Sequence, residues 1–286
     1  MKTLLDPYAP IEKAPLFAPD SMRSRGHSVR IEDASAEGGW REVGVVSPSY
    51  LLVPNAEVRR MAADVAAASG MAWSEDRVFF DGKRFLYALV ADPEEVYAEV
   101  AVGDVLGVGL LFENSYDGSR RLGCSLFVHR LACANGMLAP DLMARLRFRH
   151  DRANAGWQDD LGRAMDALGA APERLRAFAR AAARLARYPV GSAELARLRH
   201  GPLARLPVST WGRVADHYLA NEEPTGWGVA NAVTSVLWHA DKPTLSDFAH
   251  NEAATTALVR YAADLPSRPA PETHGADDRY APRLAA

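Results

Sequence analysis

Two cysteines, Cys124 and Cys133, are all the chain has in 286 residues, too few for a disulfide framework. Both stand among apolar residues, which reads as buried free thiols. No apolar run reaches the roughly 20 residues that a membrane-crossing helix needs. The opening Met1-Lys2-Thr3-Leu4-Leu5-Asp6-Pro7 has one lysine, then an acid and a proline, and lacks the apolar stretch of a secretory signal. These absences set the expectation of a soluble, cytoplasmic protein with no membrane partner. Lysine is scarce as well. The basic residues are almost all arginine, which suits bidentate phosphate contacts but is equally the mark of a GC-rich genome.

Catalytic signatures are missing too. There is no Gly-x-Ser-x-Gly elbow, no His-Glu-x-x-His and no phosphate-binding loop. Cys124, His129, Cys133 and His150 match no standard zinc spacing, and on a strand Cys124 faces away from His129 and Cys133. The expectation is therefore no metal and no cofactor. Whether the chain is an enzyme stays open, because catalytic residues can converge from distant segments.

What is present is the make-up of an ordinary globular protein, 48% apolar and 24% charged. The length suffices for one large domain or two modest ones. The net charge of −3 hides an asymmetry: arginines outnumber acids from Asp141 to Arg213, and acids outnumber bases from Val214 onward. A local basic region can hold an anion even when the whole is slightly acidic.

Residues 1–27, rich in Pro and Ala, read as an irregular arm. Strand patterns follow, with Val29 and Ile31 alternating, a turn at Glu37-Gly38-Gly39, then Trp40, Val43, Val45 and Val46. Asn55 suits the N-cap of a helix to Ser69, with Val58, Met61, Ala62 and Val65 on one face and Gly70 as its stop. Asp81-Gly82 between two apolar runs predicts a hairpin with a type I′ turn. A second antiparallel pair spans Val105–Phe112 and Leu122–Leu131, joined through Glu113 to Arg121. After Gly136 the pattern turns helical: Leu138–Arg147, Trp157–Leu168, Pro172–Arg187, Ala193–Arg199, Trp211–Leu219, Trp227–His239 and Leu245–Ala262. Strands first and helices second define an α+β fold: an antiparallel sheet with a packed helix, then a mainly helical C-terminal half. The expected division is an arm to residue 27, a β-rich core over 28–150, a helical region over 151–264 and a disordered tail from 265.

Four polar segments stand out. Asn114-Ser115-Tyr116-Asp117-Gly118-Ser119 accounts for a tight connection through side-chain-to-backbone turns. Read functionally, Tyr116 stacks on a base and Arg120-Arg121 holds phosphate. Arg130 to Gly136 carries Asn135, and Arg145, Arg147, Arg149 and His150 form a basic cluster that lines one face if extended. In Trp227–Trp238, Asn231 and Thr234 share a face with both tryptophans and need partners if buried. The predicted helix Pro172–Arg187 sets Leu175, Phe178, Ala182 and Leu185 opposite Arg176, Arg180, Arg184 and Arg187. Four like charges on one face repel modestly, so an acidic partner there, from this chain or a polyanion, relieves them.

Asn114–Ser119, Arg130–Gly136, Arg149-His150 and Asn231-Ala232-Val233-Thr234, in this order and spacing, resemble the phage/plasmid-like domain-of-unknown-function family, number nine-three-two. The resemblance runs from about Val43 to Tyr261. It implies a mobile-element setting and no mechanism. A sheet crossed by a helix, with a basic surface, is similar by analogy to single-strand annealing proteins. The expected partner is single-stranded DNA, bound by Arg120, Arg121, Arg130, Arg145, Arg147 and Arg149, with a homo-oligomer as the expected assembly. Alternatives are a hydrolase built from Asp117, Asn114, Asn135 and Asn231, and a regulatory protein that binds another protein.

Overall fold

The computed structural model describes residues 5–17, 24–139, 143–148, 161–240 and 244–265. Strands β1 (Ile11–Phe17), β2 (Ser24–Glu32) and β3 (Trp40–Val46) form an antiparallel sheet in the order β1-β2-β3. The Pro- and Ala-rich lead-in thus supplies a strand where irregular chain is expected. It can do so because β1 lies at the sheet edge, where Pro15 can turn its missing N–H outward.

Helix α1 (Asn55–Ser69) buries Val58, Met61, Ala62 and Val65 and stops at Gly70, whose φ of 70° few other residues tolerate. Its N-cap is Pro54, not Asn55, because the Asn55 side chain is committed elsewhere, as shown below.

A seven-stranded antiparallel sheet follows, made of β4 (Trp73–Phe80), β5 (Arg84–Ala91), β6 (Tyr97–Ala101), β7 (Asp104–Ser115), β8 (Leu122–Arg130), β9 (Asn135–Met137) and β10 (Ala144–Phe148). Its main order is β10-β8-β7-β5-β4, with β6 paired to β7 and β9 to β8. At the β4–β5 hairpin only Gly82 has positive φ, so the turn is not type I′. Asp81 Oδ1 instead accepts the N–H groups of Lys83 and Arg84 at 2.9 and 2.8 Å. The segment expected to be helical over Leu138–Arg147 ends as β10. Ala-Arg-Leu-Arg-Phe alternates with period two, and β8 offers an open edge for it.

Helices α2 (Leu161–Gly169), α3 (Ala171–Ala186), α4 (Ser192–His200), α5 (Val208–Asn221), α6 (Gly226–Trp238) and α7 (Leu245–Asp264) complete the described chain. One face of the large sheet carries Phe85, Tyr87, Leu110, Phe112, Cys124 and Leu126 into the main core, shared with α1 and the C-terminal helices. The other face carries Leu86, Ala88, Leu111 and Phe127 beneath Leu138, Trp238 and Phe248. Two glycines make this second layer possible by close approach. A Cβ on Gly109 would lie 2.1 Å from the Phe127 ring, and one on Gly136 would lie 2.6 Å from the Trp238 ring. The small sheet packs Val29, Ile31, Val43 and Val46 around Tyr116.

Candidate functional site

Asn114 and Ser115 are the last residues of β7, not part of a loop. The Asn114 side chain, fully buried, donates to the Val53 carbonyl (2.9 Å) and to Asn55 Oδ1 (2.8 Å). Asn55 in turn donates through Nδ2 to the Pro7 carbonyl, and its backbone N–H reaches the Tyr116 hydroxyl at 2.9 Å. Ser115 Oγ closes the following turn by bonding both the N–H and the carbonyl of Arg120. Asp117 Oδ1 accepts from the Ser119 N–H. Exposed Gly118 adopts a φ of 73°. Every polar group of this segment with a described partner is thus spent on holding the chain. Tyr116 is 1% exposed, edge-on to Phe80, and burial drives its phenol pKa upward. Its ring presents no face to a nucleobase, because the small sheet covers it.

Arg130 begins a second network. It grips Asp104 with two bonds, Nε at 2.7 Å and Nη2 at 3.2 Å, and Trp227 Nε1 donates to the same carboxylate at 2.6 Å. The Asn231 amide oxygen accepts from Trp227 Nε1 and Arg130 Nη1, both at 3.3 Å, in the orientation its neighbours dictate. Burial raises the pKa of the adjacent Glu222, opposed by Arg130, His217 and Asn231. Thr234 Oγ1 bonds back to the carbonyls of Ala230 and Asn231 within α6. Asn231 and Thr234 are therefore fixed inside the fold.

A third set lies on the second face of the sheet. Asn135, fully buried, accepts through Oδ1 from His239 Nε2 at 2.8 Å, and the same nitrogen is 3.0 Å from the Cys133 carbonyl. His129 points toward Asp76 at 4.0 Å, and burial lowers the pKa of the imidazole despite that carboxylate. Asp76 is the extra residue of a bulge in β4, a device that re-aims a side chain. Arg77 stacks over the Trp238 ring at 4.7 Å and bonds the Trp238 carbonyl. Asp76, Arg77 and His239 escape sequence reasoning, since a bulge leaves no signature in a strand pattern. No hydrogen bond among the described residues joins Asn135 to Asn114 or Asn231, so the three asparagines expected to share one site belong to separate networks.

Three of the six arginines expected to form a track are paired internally. Arg120 holds Glu113, Arg130 holds Asp104, and Arg145 holds Glu252 at 2.5 Å across 107 residues. Arg120 and Arg145 both line the small cavity beside Phe248. Arg121 is exposed. Arg147 lies on β10 in register with Gly123, while Arg149 and His150 fall outside the described residues. The contrast is α3. Its apolar stripe is buried as the spacing predicts, and Arg176, Arg180 and Arg187 are exposed with no carboxylate partner among the described residues. Arg184, half-buried, donates to the Leu265 carbonyl. Among the described residues no three His, Cys, Asp or Glu side chains gather in a way that could hold a metal, and no helix is long and apolar enough to cross a membrane.

A fold of two antiparallel sheets and a helical C-terminal half, with motif residues locked between layers, is a member of a protein family that carries no assigned activity. The family model Domain of unknown function (DUF932) matches residues 42–265, and the chain belongs to that family. No curated protein and no solved structure matches it.

Proposed function

We propose that this protein handles nucleic acid, binding single-stranded DNA along the exposed face of α3, in the replication or recombination of a phage or plasmid. The observation that carries the reading is the row Arg176, Arg180 and Arg187. These guanidiniums face solvent without described carboxylate partners, whereas Arg120, Arg130 and Arg145 are neutralised inside the fold. From Arg176 to Arg187 the row is about 16 Å long, at 1.5 Å per residue. Guanidinium groups match phosphate oxygens bidentately and without regard to base sequence. Self-association would repeat the row from chain to chain along a strand.

Fluorescence anisotropy with a labelled single-stranded oligonucleotide tests this. Three neutralised phosphates give a log–log salt slope of about −2, at roughly −0.7 for each. Replacing all three with glutamate (R176E, R180E, R187E) is expected to abolish binding while the far-ultraviolet circular dichroism stays unchanged. No binding by folded wild-type protein at low salt, or undiminished binding by the triple variant, overturns the proposal.

A further inference from the structure

At the C-terminal end of the arginine row lies a cleft of about 830 Å³. Its walls come from α3 (Arg184), the 187–191 connection, α4 (Glu194, Arg197) and the last turn of α7 (Tyr261, Asp264). The volume falls within the roughly 300–1,000 Å³ of small-molecule sites. We infer that this cleft takes one nucleotide, the terminal residue of a bound strand, with its base against Tyr188 or Tyr261 and its phosphate on Arg184 and Arg187. The inference rests on the nucleic-acid reading for the strand, but not for the nucleotide itself.

Three features converge on that ligand class. The lining holds three guanidiniums against two carboxylates, and Glu194 is held by Arg197 at 3.0 Å, so the anion-seeking groups left are Arg184 and Arg187. Arg184 is steadied by its bond to the Leu265 carbonyl, which uses one of its five N–H donors. Next, Tyr188 and Tyr261 meet edge to face, centroids 6.1 Å apart at 75°. Both rings pack against the core and also line the cleft, where they offer aromatic surface to a base. Their hydroxyls are 3.3 Å apart, so only one of the two protons is used between them. Finally, Asp264 is an acceptor suited to the amino and hydroxyl donors that a nucleoside carries. An anion, an aromatic plane and hydrogen-bond donors in one molecule describe a nucleoside phosphate. The position agrees as well: Arg176, Arg180, Arg184 and Arg187 are spaced four, four and three residues apart, so a strand following them arrives at the cleft.

Calorimetric titration of the full chain with deoxyadenosine monophosphate, and separately with inorganic phosphate, tests the inference. The nucleotide is expected to bind, and Y261L or Y188L to weaken it about tenfold through lost stacking. Y261F, which keeps the ring, stays within about twofold and guards against a folding defect. R176E with R180E is expected to leave the nucleotide unaffected while weakening the oligonucleotide. If the oligonucleotide binds through the row but the nucleotide does not, and Y261L binds DNA normally, the cleft inference fails and the function stands. If the nucleotide binds and the oligonucleotide does not, the cleft stands as a mononucleotide site and the DNA reading fails. Phosphate binding as tightly as the nucleotide overturns the inference, since the tyrosines then contribute nothing.

Discussion

Replacing Asn114 decides whether the most prominent polar motif holds the fold or meets a ligand. N114A removes the donor that serves the Val53 carbonyl and Asn55 Oδ1, in a site with no exposed surface. Each buried acceptor left without a donor costs about 1–3 kcal/mol. The Asn114 Oδ1, itself without a hydrogen-bond partner, is deleted along with it, which returns part of that cost. The expected loss is about 2–4 kcal/mol. With a urea slope near 3 kcal/mol per molar, the unfolding midpoint falls by about 1 M. N114D, nearly isosteric, sets a carboxylate against the same two acceptors and is expected to be worse than alanine, because an unpaired buried charge costs more than a missing bond. In a double-mutant cycle with N55A the two losses are expected to overlap by about 1 kcal/mol, as they share one bond. Affinity for the oligonucleotide per folded molecule stays at the wild-type value. An N114D variant as stable as N114A, or an alanine variant that loses less than about 0.5 kcal/mol, refutes the reasoning.

Three further outcomes follow from the same packing. G109A puts a methyl group into the Phe127 ring; it is expected to cost several times a typical surface change, and F127L in the same chain to recover part of the loss, read by thermal unfolding. With a thiol reagent, folded protein is expected to titrate one fast thiol per chain, the exposed Cys133. Cys124, whose pKa burial pushes up to about 12, is expected to react only after unfolding, so two fast thiols refute the burial argument. His129 gives a pH dependence. Its folded pKa lies below the ordinary value near 6.5, so its contribution to stability is complete above that pH and lost as pH falls toward the folded pKa. Glu222, raised by burial, runs the other way: its contribution is greatest near and below its ordinary pKa and is lost as pH rises. Urea unfolding at pH 7.5 and 5.5 is therefore expected to show a smaller difference in H129N than in the wild type, and equal differences sink the reading.

Local chemistry made part of this fold legible. The α1 stripe and its glycine stop, the Asp81-Gly82 hairpin and the apolar face of α3 all rest on residues within one or two turns of each other. The errors share a different origin. β10 looks helical alone and becomes a strand because β8 has an edge to fill, a fact carried by residues some twenty positions earlier. β1 is a strand for the same reason. The candidate site was legible only as residue types. Tyr116 is aromatic and follows a turn motif, but its fate is set by Val29, Ile31 and Val43 of a separate sheet. Arg145 is basic in sequence and neutral in effect, because Glu252 reaches it from α7. Charge counts along a chain do not record which charges meet.

The polar motif residues each close a junction: Asn114 ties β7 to the segment before α1, Asn231 ties α6 to Arg130 and Asp104, and Asn135 ties β9 to His239. The bonds these amides make run from one layer to the next, so these positions report how the layers are joined. Binding of a polyanion must then draw on charge the fold has not consumed. Among the described residues, α3 and its C-cap align three such arginines, Arg176, Arg180 and Arg187, on one side because the other side is committed to Leu175, Phe178, Ala182 and Leu185. The same amphipathicity that docks α3 on the core therefore aligns its cations outward, and a glutamate row in their place changes the partner the surface can meet without touching a single buried contact.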